Sequence, residues 1–127
     1  VWLEAESDGS VVTARIRFEP GEGASGPRVA EHYLRLSDNL VWEDAVAGPA
    51  AEAAEKQVIA RPVDGGVRVV LLSADNLHTL ESGVLYELHL HRTSTEPASI
   101  GFDQSRGPLF APDAASQGLR VGESLLF

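Results

Sequence analysis

The chain has 127 residues, 19 acidic against 10 basic, with a formal net charge of −9, and a chain of that length can bury roughly two-thirds of its unfolded surface in one domain without covalent staples. With no cysteine, disulfides, zinc-thiolate centres, iron–sulfur clusters and thiol catalysis are excluded. Its arginines stand singly, as at Arg15, Arg17, Arg28, Arg35, Arg61, Arg68 and Arg92, so no cationic patch exists to neutralise nucleic-acid phosphates or an anionic membrane.

Taken in chain order, the dominant pattern is period-two alternation interrupted by Gly, Pro, Asn and Asp, the pattern of half-buried antiparallel strands. It predicts strands at 1–7, 10–19, 28–37, 39–47, 56–63, 66–74, 83–93, 99–103 and 119–127. "EPGEGASGP" (19–27) and "APDAASQG" (111–118) read as connections. In "GPAAEAAEK", Gly48 suits an N-cap, Pro49 suits the first helical position, where a missing N–H costs nothing, and the Ala/Glu run favours a short helix. No linker divides the chain and no repeat occurs, so residues 1–127 are expected to form one domain: an all-β sandwich of about nine strands with at most one short helix. No apolar run approaches the roughly 18 residues that span a bilayer, and no signal pattern opens the chain. A start at Val1 reads as an excised or processed segment whose targeting information is missing.

Three stretches carry a family resemblance. "GGVRVVLLSADNLHTLESGVLYELHLHRT" (65–93) is a strand, a polar loop ending in Ser-Gly, and a long strand opening Val-Leu; "SIGFDQSRGPLFAPDAASQGLRVGESLLF" (99–127) sets a short strand, an Ala-Asp loop and a last strand in succession; "RVAEHYLRLSDNLVWEDAVAG" (28–48) has a strand ending near an Asp and a second apolar strand leading to a Gly. Together they resemble cohesin domains over nearly the whole chain. Two departures bear on the partner more than on the fold: the family's Tyr-Asp-Pro turn is here Leu36-Ser37-Asp38-Asn39, and the Ala/Glu segment 49–56 replaces a short connection. The resemblance implies a jelly-roll β-sandwich that acts as a non-catalytic, extracellular or cell-surface module and captures a dockerin-like or other protein partner on one sheet face.

The histidine pair in "VLYELHLHRT" tests that reading. His89 and His91 lie on one face of a strand about 7 Å apart, yet no third ligand stands nearby in sequence, and a zinc site needs one; a hydrated strand face accounts for the spacing. With Val84, Tyr86, Leu88 and Leu90 turned inward, Leu85, Glu87, His89, His91 and Thr93 turn outward. Leu34, Leu36, Val67, Val69 and Leu71 inward place Glu31, Tyr33, Arg35, Arg68, Val70 and Leu72 outward. In the cohesin-like arrangement the strand of His89 is expected beside that of Tyr33, which gives a partner-binding set of Tyr33, Arg35, Arg68, Val70, Leu72, Glu87, His89 and His91. Aromatic, cationic and aliphatic groups together suit a protein interface; against this stands a covering loop (74–82) or helix over Val70 and Leu72.

Other chemistries have less support. A carbohydrate-binding module, the alternative reading alongside a structural spacer, needs exposed rings that stack on sugars, and only Tyr33 and Trp2 stand at positions free for that. Calcium at Asp75, Asn76 or Asp113 lacks the closely spaced oxygen ligands it requires. No Gly-x-Ser-x-Gly elbow and no phosphate-cradling Gly loop before a helix occurs, and Glu43 and Asp44, adjacent on a strand, are expected to face opposite ways. No enzyme activity, metal or cofactor is expected.

Overall fold

The computed structural model describes residues 2–20, 28–76, 78–103, 109–110 and 125–126. Alternation builds the strands as the sequence predicts. In β2 (Val11–Phe18), Val12, Ala14, Ile16 and Phe18 are buried while Thr13, Arg15 and Arg17 are half-exposed. β1 (Trp2–Asp8) joins it through a tight turn in which Gly9 holds φ 63°, a conformation glycine adopts without penalty. β3 (Ala30–Leu36), β4 (Leu40–Ala47), the helix α1 (Pro49–Ala53), β5 (Gln57–Val63), β6 (Gly66–Leu72), β7 (Gly83–Arg92) and β8 (Ser99–Phe102) follow. Two-residue segments β9 (Leu109–Phe110) and β10 (Leu125–Leu126) complete the described strands. The first eight expected strands are therefore present. Of the ninth, 119–127, only 125–126 are described, and the connection 111–118 and most of 19–27 lie outside the described residues.

The strands form two antiparallel sheets, β1-β2-β7-β4 and β10-β8-β3-β6-β5, with β9 also paired to β3. Their inner faces meet in one core that includes Val12, Ile16, Phe18, Leu34, Val69, Leu71, Tyr86, Leu88 and Ile100. This is the expected sandwich. One expectation fails: β7 is not beside β3. It lies between β2 and β4 in the opposite sheet, because alternation fixes which residues share a face but not which strands become neighbours.

Two bulges alter the phase of the alternation. Ile16 pairs with Tyr86 and Arg17 with Val84, so Leu85 is an extra residue on β7. Both Leu85 and Tyr86 are consequently buried, at 1% and 0% exposure, and the expectation that Leu85 faces outward is corrected. A second bulge at Glu43, between the Trp42 and Asp44 pairings, leaves Glu43 and Asp44 both exposed rather than on opposite faces.

Helix α1 closes one end of the sandwich and rests on β7. Gly48 is its N-cap residue and Pro49 opens it, as expected. A Cβ on Gly48 would collide with the Val84 carbonyl, so glycine is required by this close approach. The helix ends in a Schellman arrangement: Lys56 N–H donates to Ala51 O (2.9 Å) and Glu55 N–H to Glu52 O (3.0 Å), with Glu55 left-handed at φ 56°. The buried Lys56 ammonium donates to Asn76 Oδ1 at 2.8 Å, and burial pulls its pKa down.

Candidate functional site

The outer face of the β8-β3-β6-β5 sheet gathers five of the expected residues. Cross-strand register sets them in rows: Ile59 opposite Val70 and Val70 opposite Glu31; Arg61 opposite Arg68 and Arg68 opposite Tyr33; Gln57 opposite Leu72. Arg35 lies opposite Gly66 and Gly101. Tyr33, Arg68, Val70 and Leu72 are half-buried, and Arg35 is exposed. Exposed Ile59 extends the aliphatic pair of Val70 and Leu72 onto the neighbouring strand, and Val29, just before β3, is also exposed.

Ion pairs brace this face. Arg68 grips Glu31 with two hydrogen bonds, Nε to Oε1 at 2.9 Å and Nη2 to Oε2 at 3.1 Å, which hold the Glu31 carboxyl below its usual pKa. The same guanidinium lies 5.9 Å from the centroid of the Tyr33 ring, within reach of a cation–π attraction. Arg35 Nη2 donates to Asp103 Oδ1 at 3.0 Å. The result is a shallow surface with an aliphatic half and a guanidinium-rich half.

Glu87, His89 and His91 are elsewhere. They project from β7 on the outer face of the other sheet, so the expected eight-residue site is divided between opposite sides of the sandwich. That side is a ladder of polar contacts in which carboxylates outnumber guanidinium groups. Arg15 donates to Glu6 at 2.7 Å and to Glu87 at 2.9 Å, Arg17 donates to Glu4 at 2.8 Å, and His89 Nδ1 lies 2.5 Å from Asp44. Its exposed aliphatics, Val11, Val41 and Val46, are interrupted by His91 and by charged rows rather than joined in a patch.

Ile59, Arg61 and Val29 were not among the expected site residues. The signal for the first two was available: with Val58 and Ala60 packed against the core, the alternation of β5 turns Gln57, Ile59 and Arg61 outward.

Small-ligand chemistry has little footing on the β5-β6-β3-β8 face. A cleft of about 340 Å³ is lined by Ala50, Ala54, His78 and Glu81 beside α1, and one of about 480 Å³ by Gly9, Ser10, Arg92 and Thr95 at the far end of β7. Neither is lined by residues of that face, and a third, of about 290 Å³, is lined by Leu36, Pro62 and Gly66 of this sheet together with Leu40 and Trp42 of β4. Among the described residues no cluster of three His, Asp or Glu side chains could hold a metal ion. Asn76 Oδ1 already accepts hydrogen bonds from Lys56 Nζ and His78 N–H, and Asp113 lies outside the described residues. The two half-exposed rings of the carbohydrate reading, Tyr33 and Trp2, stand on different sheets and form no joint platform.

No family model and no curated protein matches the chain. Solved structures do. A non-cellulosomal cohesin from the archaeon Archaeoglobus fulgidus superposes with a TM-score of 0.69 at 14% identity, over 98% of this chain and 87% of that one. The third cohesin ScaC of Acetivibrio cellulolyticus, solved in complex with the ScaB dockerin, gives 0.70 at 15% identity over 98% and 95%. A cohesin module from a family 33 glycoside hydrolase of Clostridium perfringens gives 0.66 at 16% identity over 98% and 91%. The sandwich of β1-β2-β7-β4 on β10-β8-β3-β6-β5 is thus the cohesin fold.

Proposed function

We propose that the chain is a single, non-catalytic, extracellular or cell-surface module that captures a dockerin-like protein partner on the outer face of β8-β3-β6-β5, through Tyr33, Arg35, Arg68, Val70 and Leu72. The observation that carries this reading is the aliphatic set of Ile59, Val70 and Leu72 on adjacent strands beside guanidinium groups. An exposed apolar patch rimmed by polar groups is the usual mark of a protein interface. The cohesin fold supports the choice of partner, since cohesins of this architecture are solved in complex with dockerins.

Purified dockerin modules, titrated against the chain by calorimetry, test it. Wild type is expected to bind at least one, and Val70→Asp/Leu72→Asp to weaken that binding by about a hundredfold or more, since a carboxylate at the centre of an interface must be desolvated without a partner. A double variant that keeps its fold by circular dichroism and keeps full affinity would place the binding surface elsewhere. A glycan array bound by wild type and not by Tyr33→Ala would instead establish the carbohydrate reading.

A further inference from the structure

The cations of the β8-β3-β6-β5 face are not equally compensated. Arg68 is held by Glu31 and Arg35 by Asp103. Arg61, exposed and directly opposite Arg68 on the neighbouring strand, makes no hydrogen bond or ion pair among the described residues. Like charges directly across a strand pair repel, and this chain carries 19 carboxylates, yet none of the described ones is set against Arg61. Among the described residues, the guanidinium groups of Arg35, Arg61 and Arg68 meet the two carboxylates of Glu31 and Asp103, which leaves Arg61 without a counter-charge, in a chain whose net charge is −9.

Resting on the protein-binding reading above, we infer that the partner presents a carboxylate to Arg61 from a helix whose neighbouring turn seats an aliphatic side chain against Ile59 and Val70. The spacing fits. Ile59 and Arg61, two residues apart on β5, present side chains about 7 Å apart, and helix residues three or four apart have Cβ atoms about 5–6 Å apart. A guanidinium fork takes a carboxylate with two parallel hydrogen bonds, and a second charge of opposite sign relieves the Arg61–Arg68 repulsion. Because the chain as a whole repels anions, this contact cannot steer a partner from a distance. It selects and registers one already docked on the aliphatic half.

A displayed library of one dockerin module, randomised at its exposed helix positions, tests this when sorted separately on wild type, Arg61→Glu and Val70→Asp. Wild type is expected to enrich Asp or Glu one helical turn from Leu, Ile or Val. Arg61→Glu should enrich Lys or Arg at that same acidic position, and should bind the wild-type clones at least about tenfold more weakly. The same acidic clones enriched with equal affinity on Arg61→Glu would overturn the inference and leave the docking face standing. Wild-type clones retained undiminished on Val70→Asp, or no clone enriched on wild type, would overturn the docking face and the inference with it.

Discussion

His32 places an ionisable ring in the middle of the sandwich, at 0% exposure, with its Nδ1 2.8 Å from the Tyr86 hydroxyl and its ring edge-on to Phe102. Burial pushes its pKa down from 6.5 to about 3 and pushes that of Tyr86 well above 10, so both are neutral in the fold at ordinary pH. The folded pKa of His32 lies below the unfolded one. Between pH 6.5 and about 3 the unfolded chain therefore binds a proton that the folded chain does not, and stability falls as the pH falls through that window. The loss approaches about 1.4 kcal/mol per pH unit, or on the order of 4–5 kcal/mol across it. Urea unfolding at pH 7 and pH 4 checks this: wild type is expected to lose more stability than His32→Leu/Tyr86→Phe, in which the pair is apolar, by about 2–3 kcal/mol. Equal losses would assign the acid sensitivity to carboxylates such as Glu31. Counting by twos from Leu34 puts His32 inside, so its burial was legible in the sequence. Its hydrogen bond was not, because Tyr86 belongs to the other sheet.

Among the elements, α1 is the departure from a pure sandwich, and its start and stop are set by different means. Gly48 and Pro49 are visible in the sequence as a helix opening. The stop is not, because Glu55 occupies the left-handed position where glycine is the usual residue. A non-glycine side chain there is strained by roughly 1 kcal/mol. Glu55→Gly is accordingly expected to raise stability by about 0.5–1 kcal/mol in chemical denaturation, with the Asn76 hydrogen bond to the residue-55 carbonyl retained. No change, or a loss, would show that the Glu55 side chain contributes something its exposed position does not suggest. The strands were legible because each carries several alternating apolar residues, and their phase was lost only where one residue was inserted. Leu85 is such a case: a bulge shifts the inward set by one without changing the composition of the strand.

At the level of the whole molecule, the two outer faces differ in kind. One holds its guanidinium groups against carboxylates, as in Glu6–Arg15–Glu87 and Arg17–Glu4, exposed contacts of the sort that contribute little stability. The other joins aliphatic groups to three guanidinium groups, of which Arg61 makes no ion pair among the described residues. Residue alternation turned the eight expected residues outward and could not tell that they belong to two faces, since strand parity is blind to which sheet a strand enters. The corrected topology has a measurable consequence. His89→Gln/His91→Gln is expected to leave dockerin affinity unchanged throughout pH 5.5–7.5, by calorimetry at each pH; an altered affinity would bring the β7 face into contact with the partner.

The sheet proposed for docking ends at β5, which among the described residues is hydrogen-bonded only to β6 and has Pro62 within it, between Arg61 and Val63. An open strand edge is a template on which another chain's strand can grow, and proline, with a carbonyl but no N–H to offer, interrupts that template, while a neighbouring charge makes its desolvation unfavourable. The sheet proposed for docking therefore resists extension at its rim, so copies held at high local concentration can remain separate bodies instead of fusing into a continuous sheet.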